Sequence, residues 1–359
     1  MKGEEFNVIE FLRKAVKTES HESVENFRKM MVKVLKEFKI DFEVDEAGNL
    51  IARKGSGKPH LLLQSHMDTV EPHIDFSEDE KTIRGRGSSD AKASIAAFLD
   101  TLINFDDEGG KLSLALTPDE ETDSRAVGEL DFSDEPDAVI VGEPTDCDVC
   151  NASRGRFEIE LEVRGKSSHA ARPEKGVNSI RAASKLISVL DDFDTGQEDE
   201  ELGEPTLTPT VMEGGDASNV VPDKCRVWID RRSVPGENME EFMERFESFI
   251  DNLDFEAEVK VSRAATNSPL LGAFRTDPDT ELVNILLENS AGELRNFDAV
   301  CEASYFAPEI PTVVFGPGKL EDEEGGVAHS RREYVEKEKV KVAADVLAVA
   351  VEDFMKSKT

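Results

Sequence analysis

Histidine and carboxylate residues follow several short apolar runs of the sequence. His66 and Asp68 come just after the first of these runs, at 61–63. The single residue between them lets the Asp68 carboxylate approach one imidazole nitrogen, which fixes the tautomer and leaves the other nitrogen to hold a metal ion. A solitary histidine at such a position is more often structural, so the pair indicates a metal site only together with further ligands.

A glycine-rich segment at 85–92 leads into a helical pattern and places Asp90 near its start. The two carboxylate oxygens of Asp90 could bridge two metal ions. Aspartate is also one of the residues preferred at the N-cap of a helix. Taken alone, the residue is explained at least as well by capping, and both interpretations stay open at this point.

Further carboxylates and a second histidine complete the set. Glu120 and Glu121 are adjacent, so their side chains cannot point the same way, and one can bind metal while the other transfers protons. Glu143 follows the third apolar run, and His329 lies beyond the last one. Two histidines, an aspartate that could bridge and two glutamates form a nitrogen and oxygen set suited to a pair of zinc ions. Such ions lie ~3.5–4 Å apart and generate hydroxide near neutral pH.

Four apolar runs do not alternate with polar residues, which is typical of strands covered on both faces. They lie at 61–63, 112–116, 138–141 and 312–315. We therefore expect one mostly parallel sheet in an α/β fold, with helices around 27–35 and 342–354. Ligands gather at the carboxyl edge of such sheets, so the residues that follow these runs are expected to meet there.

The middle of the chain has a different pattern. Apolar residues alternate with glutamates from 157 to 163, which predicts a strand with one solvated face in an antiparallel sheet. Helical spacing at 180–190 and 242–250 flanks a further strand at 225–229, and the acidic stretch 191–204 has no apolar period and is expected to be a surface loop. The sequence thus predicts a small α+β domain at 154–264, inserted into a discontinuous domain of 1–153 and 265–359.

The composition excludes several classes of partner. A formal net charge of -34 on 359 residues repels phosphate backbones, so nucleic acid is not expected to bind. No apolar run approaches the ~20 residues of a membrane span, and the first residues lack the apolar core of a secretory signal. We therefore expect no membrane association and a cytoplasmic location, and the acidic surface fits a salt-rich cytoplasm.

The four cysteines are too few for a disulfide framework in a chain of this length. Cys147 and Cys150 form a C-x-x-C pair, but a zinc ribbon needs a second pair, and Cys225 and Cys301 are isolated. Packing is therefore the preferred interpretation of the pair.

These motifs together resemble the acetylornithine deacetylase and succinyl-diaminopimelate desuccinylase family of co-catalytic zinc amidohydrolases, with aminoacylases and related carboxypeptidases. The resemblance spans nearly the whole chain. Its segments are 65–70, 85–87 with Asp90, 120–121, 142–144 and 328–329, and in the middle of the chain 165–169, 176–178, 218–222 and 230–232. The family implies a zinc-peptidase-like catalytic domain interrupted by a smaller lid and dimerisation domain, and a homodimer formed through that insertion.

The resemblance also implies a metal centre of two Zn²⁺ per chain, for which Co²⁺ can substitute. Asp90 would bridge the two ions. His66 and Glu143 would hold one of them, and Glu121 and His329 would hold the other.

Four further residues receive roles from the resemblance. Glu120 would be the general base that takes a proton from the attacking water and protonates the leaving amine. His169, reaching across the dimer, would donate a hydrogen bond to the developing oxyanion. Asn219 and Arg232 suit a free α-carboxylate. The plain alternatives are a loop histidine for His169 and a surface cation for Arg232.

The substrate is expected to be a small N-acyl amino acid or peptide. Cys301, Glu302 and Ala303 most resemble the Thr-Glu-Ala of acetylornithine deacetylases, which favours that activity. Succinyl-diaminopimelate desuccinylation, release of lysine or ornithine from a carrier protein, and dipeptide or carboxypeptidase hydrolysis remain alternatives, as does a metal-free binding module of the same fold. Ala91 and Ala93 stand where the family commonly has Met and Gly, and the loop 318–328 is longer than usual.

Overall fold

A computed structural model describes residues 6–106, 109–131, 135–264 and 271–357. Its internal contacts divide the chain into two compact units, one formed by Met1–Ser153 with Phe274–Thr359 and the other by Arg154–Ala273. The sequence pattern placed the insertion at 154–264, and the second unit runs from Arg154 to Ala273. Residues 265–270, where the predicted second boundary falls, lie outside the described residues.

In the part of the first unit that precedes the insertion, the described residues form three α-helices and eight strands. They are α1 Val8–Lys17, α2 Glu25–Glu37, β1 Asp41–Val44, β2 Leu50–Gly55, β3 His60–His66, β4 Ser77–Glu78, β5 Thr82–Arg84, α3 Lys92–Asn104, β6 Lys111–Thr117, β7 Ala138–Val141 and β8 Val149–Ser153. Asn7 caps α1, because its side-chain oxygen accepts the backbone N–H of Glu10 at 2.9 Å.

The described residues of the inserted unit form six strands and two α-helices. They are β9 Gly155–Arg164, β10 Ser168–His169, α4 Ser179–Val189, β11 Thr206–Gly214, β12 Val220–Val221, β13 Lys224–Ser233, α5 Met239–Asp251 and β14 Glu258–Arg263. The four long strands form an antiparallel sheet in the order β11-β13-β9-β14. The alternation at 157–163 is reproduced in β9, whose residues are buried and partly exposed in turn. The antiparallel α+β insertion predicted from the sequence is thus confirmed.

One residue of the predicted acidic loop contributes to the core of this unit. Phe193 is buried, and its ring packs edge-on against those of Phe242 at 5.6 Å and Phe246 at 5.1 Å. The absence of a period in the sequence signalled a loop correctly, but a single aromatic side chain within it still enters the core.

The first unit resumes after the insertion. Its remaining elements are β15 Phe274–Arg275, α6 Glu281–Asn289, β16 Leu294–Phe297, α7 Ala303–Phe306, β17 Thr312–Val314, β18 Glu321–Asp322, β19 Gly325–Gly326, β20 Tyr334–Glu336 and α8 Lys337–Ser357. Within the described residues, no helix is long and apolar enough to cross a membrane.

The main sheet has a parallel centre. Among the described residues, nine strands join in the order β1-β2-β6-β3-β7-β17-β8-β15, with β16 beside β8. The central strands β6, β3, β7 and β17 are parallel neighbours and correspond to the four apolar runs, which confirms the predicted fold class. The edge strands β1, β2 and β15 pair antiparallel. Their short, mixed sequences gave no signal of this arrangement.

Both faces of the sheet are covered, as the unbroken apolar runs predict. Leu61 and Leu63 belong to the apolar core that contains α1, α3 and α8, whereas Leu62 belongs to a second core with Phe306. Successive strand residues point to opposite faces. A strand buried on both faces therefore needs apolar residues at every position.

Candidate metal centre

The end of each central strand positions one part of the site. His66 is the last residue of β3, Glu120 and Glu121 follow β6, and Glu143 follows β7. Because β3 is parallel to both β6 and β7, these residues emerge at the same edge of the sheet. Asp90 lies just before α3, which starts at that edge.

The two carboxylate oxygens of Asp90 face different histidines. Asp90 Oδ1 is 3.2 Å from His66 Nε2, and Asp90 Oδ2 is 3.2 Å from His329 Nε2. Glu143 Oε1 lies 3.8 Å from the same nitrogen of His66, and Glu121 Oε1 lies 3.0 Å from His329 Nε2. The cluster therefore consists of two halves that share Asp90.

These separations fit the ligands of metal ions. Two ligands of one tetrahedral zinc, each bonded at about 2.0–2.2 Å, are separated by about 3.3–3.6 Å. The observed nitrogen–oxygen distances of 3.0–3.8 Å bracket that value. Among the described residues, the one group of three or more metal-binding side chains whose ligand atoms all lie within 4.8 Å is His66, Asp90 and Glu121, which takes one residue from each half together with the shared Asp90.

The electrostatics of the cluster also favour a cation. Burial raises the pKa of Glu121 and raises the pKa of Glu143 well above its ordinary value. Burial would likewise raise the pKa of Asp90, but the two flanking imidazoles hold that pKa well below its usual range. Three carboxylates share this mostly buried space, and bound cations would compensate their mutual repulsion.

Asp68 ties the ends of β3 and β6 together. Its Oδ1 lies 3.3 Å from His66 Nδ1 and accepts the backbone N–H of Glu120 at 3.2 Å, while its Oδ2 accepts the N–H of Glu121 at 3.0 Å. The Asp68 backbone carbonyl is also 3.1 Å from His66 Nδ1. These contacts direct the other imidazole nitrogen, Nε2, towards Asp90 and Glu143.

Glu120 lies beside the cluster in a strongly acidic environment. Burial raises the pKa of this carboxyl well above its ordinary value, and Glu143 and Glu121 raise it further, while His66 acts in the opposite direction. A carboxylate with a raised pKa can both accept and return a proton near neutral pH.

Glu302 is a buried residue near the site to which the sequence gave no role. It is 1% exposed, and its carboxylate accepts hydrogen bonds from the Thr117 hydroxyl at 2.7 Å and from the Gln64 amide. Burial raises the pKa of Glu302 to about 8. Gln64 and Thr117 lie in β3 and β6 just before the site residues, so the Glu302 carboxylate links the ends of these two strands by hydrogen bonds. Only its place in the 301–303 motif singled it out in the sequence.

His169, Asn219 and Arg232 lie in the inserted unit. His169 is exposed in β10, and its neighbour Ala170 donates a backbone hydrogen bond to Asn219 O at 2.9 Å, so His169 and Asn219 are close together. Arg232 belongs to β13 and donates to Asp230 at 2.8 Å.

The C-x-x-C pair does not form a joint site. Cys147 belongs to the apolar core on one face of the main sheet and Cys150 to the core on the other face. Both are free thiols, and burial raises the pKa of each to about 12. These positions support the packing interpretation.

Comparisons with known proteins identify relatives over most of the chain. A sequence profile of the M20 peptidase dimerisation domain matches residues 151–258. The acetylornithine deacetylase of Myxococcus xanthus is 32% identical over 340 residues, which cover 87% of this chain and 86% of the relative. A putative LysW-lysine/LysW-ornithine hydrolase of Pyrobaculum aerophilum is 29% identical over 346 residues, covering 90% and 91%.

Solved structures share the fold. The aminopeptidase PepT of Bacillus cereus superposes with a TM-score of 0.78 at 22% identity, covering 97% of this chain and 98% of that one. A dinuclear metal-binding peptidase of the M20 family from Bacillus subtilis has a TM-score of 0.72 at 17% identity, covering 96% and 97%.

Proposed function

The chain belongs to the M20 family of metal-dependent amidohydrolases, and on this premise we propose that it removes the acyl group from an N-acylated amino acid, with N-acetylornithine as the favoured substrate. The observation that carries the proposal is the position of Asp90, whose two oxygens face His66 and His329 separately. The acetylornithine deacetylase relative supports the choice of substrate.

The proposed centre takes two divalent ions, most suitably Zn²⁺, with Co²⁺ as a substitute. His66 and Glu143 would hold one ion, Glu121 and His329 would hold the other, and Asp90 would contact both. The mixture of imidazole and carboxylate ligands suits zinc. Two such metal ions, when bound, supply a Lewis acid for the amide carbonyl and lower the pKa of a bound water molecule.

Glu120 is the proposed proton carrier. Its carboxylate accepts a proton from the attacking water, whose oxygen bonds to the amide carbon, and returns that proton to the leaving amine nitrogen as the C–N bond breaks. Asp68 supports this role, because it fixes the backbone N–H of Glu120 at 3.2 Å and so holds the residue beside the cluster.

His169 is the proposed donor to the developing oxyanion. Its Nδ1 accepts the backbone N–H of Ala171 at 3.1 Å, so a neutral ring carries its proton on Nε2. That proton is available for donation, and one such donor contributes about 3 kcal/mol in other systems. His169 would act on the substrate of the partner subunit.

Arg232 and Asn219 are proposed to bind the free carboxylate of the substrate. Arg232 donates through Nε to Asp230 Oδ1 at 2.8 Å, and its side chain is 36% exposed. Its remaining guanidinium N–H groups can bind a carboxylate, for which the planar fork is well suited.

The inserted unit supports a homodimer as part of the proposal. Its residues match the family's dimerisation domain, and β11 lies at one end of the four-strand order. Val211 and Met212 of this edge strand are 48% and 44% exposed. An edge strand with exposed apolar side chains is suited to pair with the same strand of a second copy.

A substrate panel tests the proposal. The enzyme is stripped with a chelator, reloaded with Zn²⁺ or Co²⁺ in molar salt, and assayed on N-acetylornithine, N-acetyllysine, succinyl-diaminopimelate and simple dipeptides. We expect turnover of N-acetylornithine that is lost on stripping and restored by metal. Turnover of dipeptides alone would favour a peptidase, and turnover of the succinyl compound alone would favour a desuccinylase.

Two further alternatives have their own readouts. If none of these compounds is hydrolysed although metal binds, a carrier-protein conjugate of lysine or ornithine becomes the substrate to test, as the name of the Pyrobaculum relative indicates for that protein. A protein that binds no stoichiometric metal would be a binding module of the same fold.

A further inference from the structure

A buried ion pair lies behind the candidate metal centre. Arg86 and Glu333 are each 1% exposed, and Arg86 Nη1 is 2.6 Å from Glu333 Oε2. The strands β5 and β20 bring them together, since Tyr334 pairs with Arg84 and the backbone N–H of Gly85 donates to Glu333 O at 3.2 Å. Arg86 is among the largest fully buried side chains of the chain.

Each partner of this pair holds the backbone near a different proposed ligand. Glu333 Oε1 accepts the N–H groups of Ser89 at 3.0 Å and Asp90 at 3.2 Å. Arg86 Nη2 donates to the backbone carbonyl of His329 at 3.4 Å, and Arg86 Nε donates to Pro72 O at 3.1 Å. The Arg86–Glu333 ion pair thus contacts the backbone of both Asp90 and His329, whose side chains approach to 3.2 Å.

From this arrangement we infer that Arg86 and Glu333 are positioning residues, which set the spacing between Asp90 and His329 and so the affinity of the half-site formed by Asp90, Glu121 and His329. The inference rests on the proposed metal centre. The other half-site takes His66 and Glu143 from the ends of β3 and β7, and among the described residues neither of these two forms a hydrogen bond or ion pair with Arg86 or Glu333.

The chemistry of the pair supports a specific role rather than general stabilisation. A buried ion pair adds little net stability compared with a well-packed apolar replacement, because both charges lose their hydration. The Arg86 guanidinium reaches Glu333, His329 and Pro72 at the same time through its planar fork. A lysine ammonium keeps the charge but cannot reproduce that geometry.

A second buried pair provides a matched control. Arg231, in the inserted unit, is 0% exposed, pairs with Glu237 through two nitrogens, and donates to the backbone carbonyls of Thr195 and Thr206. Arg231 therefore resembles Arg86 in its burial and in the kind of partners it has. Its own partners, Glu237, Thr195 and Thr206, are not proposed metal ligands.

The test is Arg86→Lys beside Arg231→Lys, with Zn²⁺ titrated into each stripped protein against a competing chelator and Co²⁺ spectra recorded for the loaded forms. Melting temperature is expected to fall in both variants. Only Arg86→Lys should weaken one of the two binding steps, by about 10- to 100-fold, which is typical when an outer partner of a metal ligand is lost. The Co²⁺ spectrum of that step should change, and the other step, in which Asp90 also takes part, should lose less affinity.

Wild-type affinities for both ions in Arg86→Lys would overturn the inference, as would an equal loss in Arg231→Lys. If Arg86→Lys does not fold, the same titration on Glu333→Gln decides, because glutamine keeps the volume and can still accept from Ser89 and Asp90 but places an amide N–H₂ against Arg86. A wild-type protein that binds no metal ions would instead contradict the proposed metal centre itself, so the two failures are distinguishable.

Discussion

Replacing Asp68 by asparagine tests the idea that one carboxylate orders both halves of the metal centre. Three nitrogens face the Asp68 carboxylate: His66 Nδ1, at 3.3 Å, and the N–H of Glu120 lie against Oδ1, and the N–H of Glu121 lies against Oδ2. An asparagine whose oxygen replaces Oδ1 keeps the first two, but its N–H₂ group then opposes the N–H of Glu121. The reverse orientation loses two bonds.

The better orientation therefore loses one charge-assisted hydrogen bond and leaves one donor facing another. Such a bond contributes about 1.5–3 kcal/mol. That range corresponds to about 10- to 150-fold in a binding constant. We expect Asp68→Asn to weaken metal binding by this factor, most strongly for the ion proposed to be held by Glu121.

The assay is a Zn²⁺ titration of the stripped protein against a competing chelator, with circular dichroism to verify folding. Asp119→Asn is a matched control, because Asp119 also accepts two backbone N–H groups, those of Arg125 at 3.1 Å and Ala126 at 3.2 Å. Unchanged affinity for both ions in folded Asp68→Asn, or an equal loss in Asp119→Asn, would refute the reasoning.

Other expectations concern catalysis, ligands, pH and salt. Glu120→Gln should keep both ions but lower kcat by about 10²- to 10⁴-fold, and wild-type turnover would contradict its role as base. His66→Ala and His329→Ala should each lose part of the bound zinc, measured by metal analysis, whereas two ions retained in either variant would contradict the assignment. Burial lowers the pKa of Lys92 from 10.5 to about 7, so between these values the unfolded state binds the extra proton and stability rises with pH. In urea unfolding, the free energy of unfolding should rise by about 2 kcal/mol less between pH 7 and 9 in Lys92→Met than in the wild type. The same pH dependence in both proteins would disprove this. With a net charge of -34, the melting temperature at fixed zinc should rise from dilute buffer to molar KCl, and a flat profile would exclude a salt-adapted surface.

The sequence by itself determined the class of the fold and the approximate composition of the site. The four unalternating apolar runs predict a parallel centre because only strands covered on both faces need apolar residues at every position, as Leu61 and Leu62 show. Once those strands are parallel, residues that follow them must share an edge. His66 and Glu143 could therefore be expected together without any knowledge of distances.

Only the tertiary structure decided how the side chains pair. Glu302 and Gln64 are 238 positions apart in the chain, and Arg86 and Glu333 are 247 apart, so no local period or spacing connects them. The same holds for Asp90, which a sequence cannot distinguish from an ordinary helix cap. Its two oxygens acquire different histidine partners only when the strand ends and the loop before β20 are packed around it. Local sequence patterns report which face of an element is buried, whereas contacts between distant side chains depend on the packing of the whole unit.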